Sequence, residues 1–220
     1  MVSSTASRYS EIVVLVHGLY LHSLAMLPMY RWMRACGLPA RQFTYPSLTS
    51  SVPENAARLA RFVQEIDTPT VHFLCHSLGG LVVRTMLAHW SWQRPGRVLA
   101  LGTPHLGSCV ARRLAANRAL AWAIGKSLRH GLDGDLPPWP EGREVATIAG
   151  NRSIGAGRIL GGLPGPNDGV VALAETDLGP RYRRVILPEA HSSMLISPRV
   201  ARYACAYFKT GRFPEPATRE

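Results

Sequence analysis

Negative charge is what this chain of 220 residues has least of. Asp and Glu number 14 against 25 Lys and Arg, a formal charge of +11. Lysine is nearly missing as well: only Lys126 and Lys209 occur, so the positive charge is almost all arginine. Between Asp67 and Asp133 there is no carboxylate at all, although seven Arg and one Lys fall in that stretch. Chemistry that needs a carboxylate must therefore draw on a short list. Long apolar runs are absent too, since none approaches the ~20 residues of a membrane-spanning helix. The N-terminal MVSSTASRYSE holds one Arg, and the first apolar run, residues 12–16, stops at His17-Gly18. That run reads as a strand and not as a signal-peptide core, and without an export signal the expected compartment is the cytoplasm. Cys36, Cys75, Cys109 and Cys205 are scattered, with no CxxC pair and no zinc-like spacing. Free, mostly buried thiols are expected. Charged residues make up only 18% of the chain and hydrophobic ones 46%, which excludes a disordered polypeptide.

What is present is an alternation of short apolar runs with helix-like segments, the pattern of a parallel sheet wrapped by helices. Strands are predicted over 12–16, 41–45, 71–75, 97–102, 144–149 and 183–187. Their continuous Val, Leu and Ile content suits strands buried on both faces. Ser51 and Glu54 form a capping box ahead of apolar residues at helical spacing, with Pro53 in the first turn. Ser197-Pro198 opens a last helix that Gly211 stops. A further helix runs from Leu78 to Trp90, directly after a strand, and residues 23–36 are also read as helical. The longest break in the alternation is 103–143, where Ser108 caps an expected amphipathic helix spanning 110–128. Its Gly- and Pro-rich end must be loop. The whole chain, 1–220, reads as one domain with a small insertion at 103–143.

The segment Val71–Gly80, VHFLCHSLGG, is an apolar strand, a sharp turn with Ser77 at its tip, and a helix opening on two glycines. A nucleophile elbow needs that context, because the strained turn lifts the serine Oγ above the strand ends. The positions two before and two after the serine must be small; Gly79 is, and Cys75 stands where glycine is usual. The competing reading of Ser77 is an ordinary helix N-cap. A second glycine loop, His17-Gly18-Leu19-Tyr20, follows the first strand. Acyl transfer needs two backbone N–H groups aimed at the developing oxyanion, one after the nucleophile and one from such an earlier loop. Leu78 and Leu19 are the expected donors.

VHGL at 16–19, CHSLGG at 75–80, GTPHLGS at 102–108 and NDGVV at 167–171 together resemble the α/β-hydrolase superfamily. They most resemble the branch of bacterial triacylglycerol lipases and GPI-inositol-deacylase-like proteins. The resemblance spans residues 12 to about 195. It implies an α/β-hydrolase fold, a mostly parallel sheet of about six strands flanked by helices with a small cap insertion. It also implies a catalytic triad in the chain order Ser, acid, His. Scarcity narrows the acid to Asp168, Glu175 and Asp177 in the loop between the last two strands. The branch places its acid at the Asn-Asp-Gly turn, which selects Asp168. His191 in the loop after the last strand is the implied base; His105 is its rival but precedes the acid. His17 and His76 are motif positions with supporting hydrogen bonds expected.

The expected activity is hydrolysis of carboxylic esters with short or medium acyl chains, esterase- or lipase-like, through an acyl-enzyme. The substrate is a small-molecule ester or lipid. The alternatives are a thioesterase or an acyltransferase with the same triad, and a basic binding protein. Trp122 and Trp139 are candidates for lining the substrate pocket. No metal and no cofactor are expected, because no histidine has ligand spacing and the segment after His191 lacks the calcium-site residues some lipases carry. No nucleic-acid partner is expected either, since the arginines are dispersed and no such motif occurs. The acid-free stretch 68–132 holds the nucleophile turn and the presumed cap, so positive charge is expected around the site entrance. That would favour anionic esters or peripheral contact with anionic lipid. The sequence leaves the oligomeric state open.

Overall fold

A computed structural model describes residues 9–90, 94–155 and 162–215. Of the N-terminal segment used above to exclude a signal peptide, residues 1–8 lie outside the described residues. Six strands, β1 (Glu11–Val16), β2 (Ala40–Phe43), β3 (Thr70–His76), β4 (Arg97–Leu101), β5 (Glu144–Gly150) and β6 (Arg183–Leu187), form one sheet in the order β2-β1-β3-β4-β5-β6. Every neighbouring pair is parallel. Along β1 the side chains alternate between two cores. Ile12, Val14 and Val16 pack with helices α2 (Val52–Gln64) and α3 (Leu78–His89) on one face; Val13 and Leu15 pack with α1 (Leu27–Ala35) and α5 (Pro198–Thr210) on the other. Covered faces on both sides explain why the strands read as unbroken apolar runs.

The helix ends follow their local chemistry. Ser51 Oγ accepts from Glu54 N at 3.3 Å and Glu54 Oε2 accepts from Ser51 N at 2.7 Å, so the capping box of α2 is reciprocal. Ser197 Oγ accepts from Val200 N, and Gly211 closes α5 with a φ of 72°. The segment expected to be helical from residue 23 starts as a 3-10 turn, Ser23–Met26, and turns α-helical at Leu27, with Pro28 in the first turn.

Two expectations are corrected. The helix after Ser108, α4, covers only Cys109–Ala116 instead of reaching 128. Asn117 leaves the helical region, and its Oδ1 accepts from Ala119 N at 3.0 Å, a local bond that competes with another helical turn. The chain then needs short 3-10 turns to seat Gly125, with a φ of +57°, against the carbonyl of Leu48. Lys126 N and Ser127 Oγ fasten this part of the insertion to Leu48 O and Ser47 O at 2.9 and 2.6 Å. The cysteines are not all free thiols. Cys36, at the end of α1, and Cys205, within α5, form a disulfide across 169 positions, while Cys75 and Cys109 remain free. Sequence spacing could not show the pair, because it depends on two helices lying side by side on one face of the sheet. Among the described residues no helix is long and apolar enough to cross a membrane.

Candidate active site

In parallel α/β sheets, ligands bind beyond the carboxyl ends of the strands, where the strand order reverses. Here that point lies between β1 and β3. Their register pairs Val16 with Cys75 and so brings the Gly18 loop alongside Ser77. Next to them, Ser77 N donates to Leu101 O at 2.9 Å, and Gly102 N donates to Ile148 O at 2.9 Å, so the end of β4 lies against β5, which runs on two residues to Gly150.

Ser77 has φ 52° and ψ −122°, a backbone conformation rarely adopted by residues other than glycine. The turn is enforced from behind. A Cβ on Gly79 would lie 2.5 Å from Val16 O and 2.6 Å from His17 O, and one on Gly80 would lie 2.3 Å from Thr103 Oγ1. The first turn of α3 therefore presses onto the end of β1 more closely than any side chain permits. At Gly79 the sequence argument named the right residue for an incomplete reason, since the backbone of β1 sets the limit. Cys75 fits in the glycine-like position because its thiol is wholly buried and directed to Leu99 O.

Asp168 meets His191, which borders the same cavity as Ser77. The buried carboxylate of Asp168 receives Val170 N and Val171 N on Oδ1 at 2.9 and 2.7 Å, and faces His191 Nδ1 through Oδ2 at 2.7 Å. His191 N also donates to Asp168 O at 2.8 Å. With Oδ2 as its partner, Nδ1 is placed to donate, and the neutral ring then carries its acceptor lone pair on Nε2. The rival carboxylates are engaged elsewhere. Glu175 takes Cys109 N at 2.5 Å and Ala172 N at 2.9 Å, and Asp177 pairs with Arg184 at 2.8 Å. His105 is buried with Nε2 facing Thr147 Oγ1 at 3.4 Å, and burial pulls its pKa down to about 3.

The glycine loop after β1 is held by two residues. His17 donates from Nδ1 to Gly18 O at 2.9 Å and accepts Tyr45 N on Nε2 at 3.3 Å, so one neutral tautomer satisfies both bonds. Tyr45 stacks on that ring at 4.2 Å and donates its hydroxyl to His17 O at 2.7 Å. This explains why β2 ends at Phe43, short of the predicted Tyr45. Tyr20, at φ 60°, reaches across to donate its hydroxyl to Ala123 O in the insertion. Leu78, as the first residue of α3, has no carbonyl one turn back to receive its N–H. Leu19 N likewise has no backbone acceptor among the described residues.

Ser77, His76 and His191 line a cavity of about 330 Å³ whose other walls include Leu19, Pro104, Val110, Leu114, Ile124 and Val171. Among the described residues no Arg, Lys, Asp or Glu lines it. The acid-free stretch supplies apolar walls, while Arg112 and Arg113 of α4 are exposed outside the cavity, Arg113 donating to Gly162 O. Neither predicted tryptophan lines it. Trp122 is 76% exposed with its indole N–H on Ala119 O. Trp139 is buried edge-on to His105, under Arg84, on the wall of a separate cavity. Aromatic character alone carries no direction, and in both places the loop turns the ring elsewhere. Among the described residues no group of three His, Cys, Asp or Glu side chains is arranged to hold a metal ion.

No protein-family model matches the sequence, and no curated protein does. Solved structures do match. The metagenomic carboxyl esterase MGS0156 superposes with a TM-score of 0.66 at 19% identity, covering 84% of this chain and 66% of that one. A chain of the α/β superfamily from Xanthomonas campestris gives 0.59 at 11% identity, with 93% of this chain and 100% of that one covered. The chain has the α/β-hydrolase fold. The methylesterase MES16 from Arabidopsis, another similar structure, matches with a TM-score of 0.62 at 13% identity over 92% of this chain and 98% of that one. This chain spans about two thirds of the metagenomic esterase's length and nearly all of the other two. Within the α/β-hydrolase fold, sequence reasoning gave no role to Tyr20 and Tyr45, and weighed Glu175 only as an acid, whereas it accepts from Cys109 N and Ala172 N. Only Glu175 carried a signal, as the third residue after Ala172 at the start of a 3-10 turn; the tyrosines act across the fold, where no local pattern marks them.

Proposed function

We propose that this protein is a serine hydrolase that cleaves carboxylic esters, with Ser77 as nucleophile, His191 as general base and acid, and Asp168 as the acid that orients it. The observation that carries this reading is the strained Ser77 turn opening into the same cavity as a histidine whose Nδ1 faces a buried carboxylate at 2.7 Å. His191 Nε2 takes the Ser77 proton as Oγ attacks the ester carbonyl, and Asp168 stabilises the imidazolium that forms. Leu19 N–H and Leu78 N–H receive the negative charge on the carbonyl oxygen. The tetrahedral intermediate collapses, the C–O bond to the alcohol breaks, and His191 returns its proton to the leaving alkoxide. Water then attacks the acyl-enzyme with His191 again as base, releasing the carboxylic acid and restoring Ser77.

The cavity supports esters with uncharged acyl groups. Its size lies at the small end of ligand pockets, which run from about 300 to 1,000 Å³, so short and medium chains are favoured. The insertion between β4 and β5 supplies Val110, Leu114, Ile124 and Leu132 to its walls, which fits a cap over the acyl chain. The finer kinship, to the lipase and GPI-inositol-deacylase-like branch, rests on the GTPHLGS and NDGVV segments. Labelling with a fluorophosphonate probe tests the reading. Folded wild-type protein is expected to label and Ser77→Ala to remain unlabelled; an unlabelled wild type refutes it. A p-nitrophenyl ester series should peak at a short or medium chain and fall for longer ones.

A further inference from the structure

His76 occupies a position where three parts of the site converge. It is the last residue of β3 and is joined directly to Ser77. Its Nε2 lies 3.1 Å from the carbonyl of His191, 115 positions away. The opposite edge of the ring faces the glycine loop, since a Cβ on Gly18 would come within 2.9 Å of His76 Nδ1. One imidazole therefore joins the nucleophile turn, the oxyanion loop and the loop carrying the base.

The protonation state follows from the contacts. His191 O can only accept, so Nε2 of His76 carries the hydrogen and Nδ1 is left with a bare lone pair. That Nδ1 is buried and has no hydrogen-bond partner. Turning the ring over would exchange nitrogen for carbon at both positions and break the bond to His191. Buried polar atoms without partners are uncommon, and one beside a reactive site calls for an explanation. Here the orphaned Nδ1 accompanies the Nε2–H bond that fixes the backbone of His191. Burial also keeps the ring neutral, with its pKa lowered to about 3 by desolvation and by the neighbouring His191. Neutrality matters because the two rings are 4.7 Å apart. A charged His76 would oppose the imidazolium that His191 becomes during turnover.

We infer that His76 is a positioning residue: through its Nε2–H bond to His191 O it holds the base in register with Ser77 and with the glycine loop. The inference rests on the triad reading above and concerns the Nε2–H bond, which is separate from the edge of the ring that borders the cavity. It is separable from simple packing, because only a donor of the right reach can replace it. In His76→Gln the side-chain amide nitrogen would stand near the position of Nε2. In His76→Asn it would stand near that of Nδ1 and fall short of His191 O.

The test compares His76→Gln and His76→Asn with wild type in p-nitrophenyl ester kinetics and in the downfield proton NMR spectrum. The His191 Nδ1–H in its bond to Asp168 should give a resolved downfield resonance in the wild type. For His76→Asn, kcat is expected to fall roughly 10- to 100-fold, the scale of an ångström of misplacement. KM should stay within about twofold, and the downfield resonance should broaden or shift. His76→Gln should keep most of kcat and the wild-type resonance. Equal kinetics and spectra for the two variants would overturn the inference, as would an Asn variant whose whole loss is accounted for by a smaller folded fraction. The two arms also separate this inference from the one it rests on. A wild type that neither labels nor hydrolyses esters refutes the hydrolase reading, while the NMR comparison still reports whether His76 sets the Asp168–His191 bond.

Discussion

The carboxylate of Asp168 is held by three hydrogen-bond donors, and only one of them is the histidine ring. Exchanging the carboxylate for an amide keeps its shape but removes the charge that favours the correct tautomer of His191. Asp168→Asn is therefore expected to lower kcat by about 10⁴-fold, the scale seen when a triad carboxylate becomes an amide. Asp177→Asn should leave kcat within about twofold, because Asp177 is paired with Arg184 away from the cavity. Steady-state ester hydrolysis reads both, and a large loss from Asp177→Asn would move the acid. At this scale, legibility depended on locality. Ser77, Gly79 and Leu78 announce themselves within ten residues because one strained turn needs them together. Asp168 was nameable because carboxylates are scarce and its turn resembles that of a known branch. Tyr20 and Tyr45 left no trace, because their partners, Ala123 and His17, are far away in sequence.

The contact between α3 and β1 is where one element limits another most tightly. Gly79→Ala adds the helix propensity of alanine, worth up to about 1 kcal/mol. It also drives a Cβ into two backbone carbonyls that belong to a central strand. Overpacking of this kind costs roughly 1–3 kcal/mol, so net destabilisation is expected, read as a lower urea midpoint; an unchanged or higher midpoint would show that α3 can slide. All six strands were legible, β1, β3 and β4 from their apolar runs and β2 and β6 from their place in the alternation with helices, and their ends moved by at most two residues. The insertion was less so. Apolar spacing favoured one long helix, but the need to seat Gly125 against Leu48 is a tertiary constraint that periodicity does not carry.

Over the whole molecule, a strongly basic protein buries histidines in their neutral form. Desolvation lowers the pKa of His76 and His105 to about 3, and lowers those of His17 and His72 as well. An unfolded histidine titrates near 6.5. Above that value both states are neutral and stability is at its full level. As pH falls below about 6.5 the unfolded chain gains protons that the native core refuses, and stability drops. Each fully refused proton contributes up to about 1.4 kcal/mol per pH unit. Urea midpoints are therefore expected to decline from pH 7.5 to pH 5, and His105→Gln should flatten the slope. A midpoint that holds steady over that range would contradict neutral burial.

The cystine between α1 and α5 has a consequence for the chain as a covalent object. It closes residues 36–205 into a ring that contains Ser77, Asp168 and His191, and leaves Leu19 on a tail outside it. Opening the ring by reduction should cost roughly 2–4 kcal/mol of stability. A protease that severs one peptide bond anywhere in the ring would leave a single molecule, which migrates as one band until a thiol reagent releases two fragments.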